Sequence, residues 1–188
     1  MDEEATIRPA RAADVPAMAA IINHYAAQNL MLPRTEVAIR RVLDDFVAAE
    51  WDGRVVGCGA LARLSPELAE VRSLAVSPDH QGKGLGRRIV LYLVERARAR
   101  GYPQVCALTL VPDFFAGLGF QTVDRWAISP KVWQECVFCP KFHRCDEVAV
   151  VYNLTEEAVD LSIPSTAWVG LVAAFARREA SRAAQRTE

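Results

Sequence analysis

No stretch of this 188-residue chain approaches the roughly 20 consecutive apolar residues that a membrane-spanning helix needs. A surplus of charge of either sign is missing too. The formal net charge is −1, which offers no global attraction to nucleic acid or to an anionic membrane, and neither is expected as a partner. The opening Met1-Asp2-Glu3-Glu4 is acidic and has no apolar centre, so a secretory leader is not expected. Without an export signal, the five cysteines read as reduced thiols of a soluble cytoplasmic protein. Internal repeats and low-complexity tracts are absent. What remains is ordinary globular composition, about half apolar and a quarter charged, in a chain long enough to bury one substantial core.

Two common phosphate-binding patterns are missing as well. No Gly-Lys-Ser/Thr closes a Walker loop, and the G-x-G-x-x-G spacing of dinucleotide sites does not occur. A different glycine turn stands in their place. The branched run Val71-Arg72-Ser73-Leu74-Ala75-Val76 reads as a strand, Ser77-Pro78-Asp79 breaks it, and Gln81-Gly82-Lys83-Gly84-Leu85-Gly86 runs into a helical pattern with Leu85, Ile89, Tyr92, Leu93 and Arg96 on one side. Glycines let backbone approach an anion, and a helix start directs unpaired N–H groups and a positive dipole end to the same place. Lys83, Arg87 and Arg88 add positive charge around it, so a diphosphate is the expected occupant.

Along the rest of the chain, Thr6–Pro9 reads as a first strand. Asp14 is placed to cap a helix carrying Val15, Met18, Ile21, Ile22 and Tyr25, and Thr35 to cap a second helix through Phe46 that buries Val37, Val42 and Phe46. Asp52-Gly53 signals a hairpin between two apolar runs. Gly57 and Gly59, inside the second run, suggest a bulge or a closely approached backbone. Gly101 ends the helix after the glycine turn, Val105–Leu110 makes a strand, Pro112–Leu118 a short helix, Phe120–Val123 a strand and Asp146–Leu154 the last one. The order is β-α-α-β-β-β-α-β-α-β-β, an α/β (α+β) domain with a mixed sheet flanked by helices. Residues 1–154 form that domain. Residues 155–188 are expected to be a helical extension and tail, in which Trp168, Leu171, Val172 and Phe175 follow helical spacing and pack on this subunit or, in a homo-oligomer, on a neighbour.

Alternation along the central strand places Glu70, Arg72, Leu74 and Val76 on one face. Acyl transfer from a thioester to an amine needs removal of the amine's proton, donors for the thioester oxygen, and a held acceptor. Glu70 is the candidate base, weighed against a carboxylate that only pairs with a neighbouring arginine. His24, on the first helix, is more simply a surface or packing residue.

The strand, the Gln81–Gly86 turn and the helix together resemble the coenzyme-A motif of the GCN5-related N-acetyltransferases (GNAT). The resemblance implies acetyl-CoA as donor, with the pantetheine arm beside backbone N–H groups of Leu74, Ala75 and Val76 and the diphosphate held by Gln81, Gly82, Lys83, Gly84, Leu85, Gly86 and Arg87. It also supports Glu70 as base. Many relatives carry a tyrosine as general acid in the short helix before the Gly-Phe pair. Here Phe114-Phe115 stand there, and a phenyl ring has no proton to give. The segments Ile22–Tyr25, Leu30–Arg34, Glu70–Val76 and Cys139–Phe142 with Cys145–Glu147 further resemble short single-domain amino-acid N-acetyltransferases of arginine biosynthesis, the N-acetylglutamate synthases. That implies a small amino-acid acceptor, L-glutamate, with glutamine or another amino acid as the alternative. A coenzyme-A-binding module without catalysis is the rival from another class. Two carboxylates call for arginines, which hold a carboxylate by two parallel hydrogen bonds. Arg34 and Arg72 are the candidates, with Lys141 and Lys131 behind them.

Cys136, Cys139, His143 and Cys145 include a C-x₂-C pair, so a structural zinc competes with packed thiols anchored by Phe138 and Phe142. Packed thiols are preferred and no metal is required, because His143 and Cys145 lie only two apart, a tight spacing for closing a tetrahedron.

Overall fold

In the computed structural model, residues 5–155 are described. The expected 155–188 extension, with its Trp168–Phe175 stripe, lies outside them but for its first residue. Seven strands form one sheet in the order β1-β2-β3-β4-β5-β7-β6. Strands β1 (Thr6–Pro9), β2 (Phe46–Trp51), β3 (Arg54–Arg63) and β4 (Leu68–Val76) are antiparallel neighbours. β4 runs parallel to β5 (Gln104–Thr109), and β7 (Val148–Asn153) lies antiparallel between β5 and β6 (Gln121–Val123). The mixed sheet with flanking helices is the expected architecture. Asp52 and Gly53 both take positive φ, 51° and 70°, as the hairpin turn demands.

Helix α3 (Leu85–Ala99) covers one face. Its Leu85, Ile89, Val90, Leu93, Val94 and Ala97 join Val47, Leu61, Val71 and Val105 in the largest core cluster. It lies close because β3 has no side chain at Gly59, where a Cβ would stand 2.7 Å from Ile89 Cγ2. Helix α1 (Val15–Ala26) packs Val15, Met18, Ala19 and Ile22 on the other face, against Phe46, Cys58, Ala60 and Ala75.

Four local expectations are corrected. Helix α2 (Glu36–Arg41) stops short of Phe46, which starts β2, and it buries Ile39 while Val37 is exposed. Asp14 precedes α1 but makes no side-chain cap; Arg8 and the Arg11 N–H take its carboxylate. Besides the short α4 (Pro112–Ala116), a helix absent from the sequence reading, α5 (Ser129–Gln134), lies between β6 and β7. Its opening Ser-Pro and the Lys131–Glu135 spacing were the available signals.

The fourth correction concerns β4. Ser73 takes φ +53°, and the β3–β4 register shifts between Cys58 and Ala60, so Ser73 and Leu74 together oppose Gly59. This is a β-bulge, and it reverses the alternation. Leu68, Glu70 and Arg72 lie on the side of α1 and α5, whereas Leu74 and Val76 turn to α3 and share its core with Val71. Glu70, Arg72, Leu74 and Val76 therefore do not share one face.

Candidate functional site

β4 pairs with β5 only at Leu68–Glu70, opposite Gln104–Cys106. Beyond Glu70 the ladder between these parallel strands ends while β5 continues along β7, so on that edge the rest of β4 has no strand partner, although β3 still pairs its other edge. Glu70 sits where the strands part. It is almost wholly buried, at 3 % exposure. From α5, the Lys131 ammonium bonds both its carboxylate oxygens, at 2.9 and 3.0 Å. Lys131 also donates to Glu135 Oε2 at 2.5 Å, and Arg72 Nη1 donates to Glu135 Oε1 at 2.5 Å while lying 3.7 Å from Glu70 Oε2. Two cations and two carboxylates thus interlock across β4 and α5.

Burial pushes the Glu70 carboxyl above its ordinary value, against the pull of Lys131 and Arg72. Burial also opposes the charge on Lys131, but Glu70 and Glu135 outweigh it and raise that ammonium. For Glu135, burial is outweighed by Lys131 and Arg72, and its carboxyl is lowered. A buried carboxylate with a raised pKa, held by a lysine where two parallel strands part, is suited to taking a proton from an ammonium group.

Arg34 reaches the same place from the loop before α2. Its Nε donates to Ser73 Oγ at 2.9 Å, and its backbone is tied to Asn23 of α1 by bonds of 2.9 and 3.0 Å. Burial and then Arg72 lower the guanidinium's pKa, while Glu135 and Glu70 act the other way. No carboxylate among the described residues is within salt-bridge distance of Arg34, unlike Arg72. The bulge at Ser73 is what turns that hydroxyl toward it. Lys141 is exposed and donates to the Asn29 carbonyl at 2.9 Å rather than to a carboxylate of the cluster. Lys131, ranked behind the arginines in the sequence reading, stands at the centre, and Glu135 was missed.

At the other end of β4, Gly82 and Gly84 take φ +73° and +75°, and a Cβ at either would meet nothing within 4 Å. The glycines serve the left-handed backbone of an open loop, with Gly84 preceding the first turn of α3. Gln81 Nε2 donates to the Tyr25 hydroxyl at 2.7 Å, which donates to the Val76 carbonyl at 2.5 Å, so α1 braces loop and strand together. Lys83 stands 4.6 Å over the Trp51 ring. Arg87 donates to Gly117 O at 3.3 Å. Arg88 donates to the Ala5 carbonyl. Gly86 lies within the helix, facing Phe114 at 3.5 Å. Phe115 is buried edge-on against Phe120, so no acid stands at that position. This loop, with open space at Gly82 and Gly84, and the N-terminus of α3 fit the diphosphate of a coenzyme A.

His24 is exposed and packs edge-on to Tyr25. All five cysteines are free, and among the described residues no group of three or more His, Cys, Asp or Glu is gathered as a metal site. Phe138 is 80 % exposed and anchors nothing, whereas Phe142 packs on Trp126. Among the described residues no helix is long and apolar enough to cross a membrane.

The profile of the acetyltransferase (GNAT) family matches residues 18–120. An uncharacterised N-acetyltransferase of Chlorobaculum tepidum is 39 % identical over 152 residues, covering 79 % of this chain and 96 % of that one. An amino-acid acetyltransferase of Mycobacterium tuberculosis is 36 % identical over 132 residues, 69 % of this chain and 75 % of that protein. Among solved structures, a Mycobacterium tuberculosis protein in complex with CoA and a second ligand superposes with a TM-score of 0.69 at 28 % identity, over 80 % of this chain and 99 % of that one. The N-acetylglutamate synthase of Neisseria gonorrhoeae, complexed with coenzyme A and N-acetyl-glutamate, does so with a TM-score of 0.71 at 27 % identity, over 82 % of this chain and 36 % of that one.

Proposed function

The chain belongs to the acetyltransferase (GNAT) family and is an acyltransferase, and from that membership we propose that it transfers the acetyl group of acetyl-CoA to the α-amine of L-glutamate, the first committed acylation of arginine biosynthesis. The observation that carries this reading is the placement of buried Glu70, beside Arg72, Lys131 and Arg34, where β4 and β5 part. A cation-rich pocket around one buried carboxylate suits an acceptor that brings carboxylates and one amine. Relatives named for acetylating amino acids, and a neighbour holding N-acetyl-glutamate, support the same class of acceptor.

Bound acetyl-CoA supplies a thioester whose carbonyl carbon the amine attacks, with the thiolate as leaving group. Gln81, Gly82, Lys83, Gly84, Leu85, Gly86 and Arg87 hold the diphosphate, and backbone N–H groups of Leu74, Ala75 and Val76 orient the arm and polarise the thioester oxygen. Glu70 takes the ammonium proton, directly or through water, so that the amine becomes a nucleophile. Arg34 and Arg72 hold acceptor carboxylates and fix the amine within attack distance. With Phe115 in the acid position, the departing thiolate takes its proton from water or from a residue other than Phe115.

Thiol release from acetyl-CoA, measured across the amino acids, tests this. Release is expected to be fastest with glutamate or glutamine and weak with lysine or polyamines, which bring a second cation to Arg34 and Arg72. A preference for polyamines would overturn the acceptor, and no acceptor-dependent release would favour a binding module. Arg72→Ala should raise the acceptor KM by tenfold or more, in line with the ~2–5 kcal/mol lost when one partner of a buried charge pair is removed.

A further inference from the structure

Glu135 belongs to the site but plays no part in the chemistry described. It stands at the end of α5, outside the helical region at φ −132° and ψ −46°, and its side chain is 41 % exposed. Glu70, in contrast, is locked in the interior. Yet the Glu135 carboxylate accepts from both Arg72 and Lys131, the bidentate bridging pose in which an incoming carboxylate would be received.

Charge decides what this means. Arg34, Arg72 and Lys131 supply three positive charges, and Glu70 and Glu135 two negative ones. The five groups sum to +1 with Glu135 in place and to +2 with it turned to water, before the acceptor's own ammonium is counted, so Arg72 and Lys131 are freer to take an acceptor carboxylate when Glu135 is out. The cost of turning it out is small on the solvent side, because the carboxylate already has water access, whereas no such exit exists for Glu70.

Resting on the amino-acid acceptor reading above, we propose that Glu135 is an internal stand-in for the acceptor's second carboxylate and sets acceptor choice. A dicarboxylic acceptor such as glutamate must displace it from Arg72. A monocarboxylic acceptor such as glutamine binds with it in place. Glu135 thereby weakens binding of the acidic side chain without excluding it, and its removal releases Arg72 for that carboxylate. It is a specificity-determining residue, and the proton transfer remains with Glu70.

The test compares Glu135→Gln with the wild type. The amide keeps the shape and an oxygen for Lys131 but drops the charge. We expect the glutamate KM to fall about tenfold relative to the glutamine KM. Glu135→Asp, with a shorter reach to Arg72, should shift the ratio the same way by a smaller factor. A residue that merely braces the pocket would instead raise KM for both acceptors in both variants, and that result, or an unchanged glutamate-to-glutamine ratio, overturns the proposal. Calorimetric binding of glutarate, which has two carboxylates and no amine, gives a readout without turnover. It should tighten about tenfold in Glu135→Gln, and equal affinity in both proteins, or binding to neither, counts against Glu135. If the wild type acetylates neither amino acid, the acceptor reading fails, and the glutarate measurement still decides the role of Glu135.

Discussion

Two clusters in this molecule place one arginine between two carboxylates, and they have opposite electrostatic outcomes. Near the N-terminus, Arg8 bonds Asp14 at 2.6 and 3.0 Å and Glu50 at 2.5 and 2.8 Å. There the Arg8 hydrogen bond outweighs burial and holds the Asp14 carboxyl below its ordinary value. Beside α5, Arg72 faces Glu135 and Glu70, but Glu70 is deeper and its carboxyl is pushed up despite Lys131. The difference lies in geometry and depth. Arg8 meets Asp14 by a fork that leaves little charge uncompensated. Glu70 is so far from water that a lysine on both its oxygens does not repay the desolvation of its charge. The first arrangement ties β1, α1 and β2 together; the second leaves a buried carboxyl with raised proton affinity where β4 and β5 part.

The sharpest way to separate them is Glu70→Gln. Turnover should fall by roughly 10²–10⁴-fold, the range for losing a general base, with coenzyme binding nearly intact by titration. Full turnover in that variant would reduce Glu70 to a structural role. In the wild type, kcat should decline as pH falls through the raised value of Glu70, above the ordinary carboxylate value of 4.5. Its contribution to stability has the opposite sense to a salt-bridged acid. The folded protein holds the proton more tightly than the unfolded chain, so this contribution is present below 4.5 and lost as pH rises through the raised value.

Lys131→Met comes next. It leaves Glu70 buried without its main partner, so a loss of ~3–5 kcal/mol is expected in denaturant unfolding. The acid limb of the activity profile should move further toward alkaline pH. An unmoved limb would show that Lys131 does not govern the protonation of Glu70.

Asp14→Asn probes the other cluster. A loss of ~1–3 kcal/mol is expected, because Arg8 forfeits its fork, with kcat and both KM values unchanged. Asp14 is lowered, so in the wild type its contribution is complete above the ordinary value of 3.8 and is lost as pH falls through its folded value. The variant should lack that part of the acid destabilisation. A kinetic defect in Asp14→Asn would mean the two clusters are coupled.

Lys141→Ala should do least. Its ammonium is exposed and bonded only to the Asn29 carbonyl among the contacts described, so the acceptor KM should change by less than about threefold, the scale of an exposed interaction. A larger effect would bring the Cys136–Cys145 segment into the acceptor pocket.

Local chemistry was enough to read much of this fold. Asp52-Gly53 allows few conformations other than a hairpin turn, the Gln81–Gly86 run needs left-handed backbone at Gly82 and Gly84, and the spacing of Leu85, Ile89 and Leu93 admits one buried helical face. These are properties of neighbouring residues, so a linear chain displays them. Glu70 was identifiable as a carboxylate beside the coenzyme motif for the same reason. What its surroundings do to it was not. The bulge at Ser73 lies opposite Gly59 across the ladder, and through it Leu74 and Val76 leave the face of Glu70 and Arg72. Lys131 lies 61 positions from Glu70 and Glu135 63 from Arg72, and α5 carries them there only by docking beside β4. Pairing, burial and the resulting proton affinity are sums over groups distant in sequence, and only the tertiary structure brings those groups together.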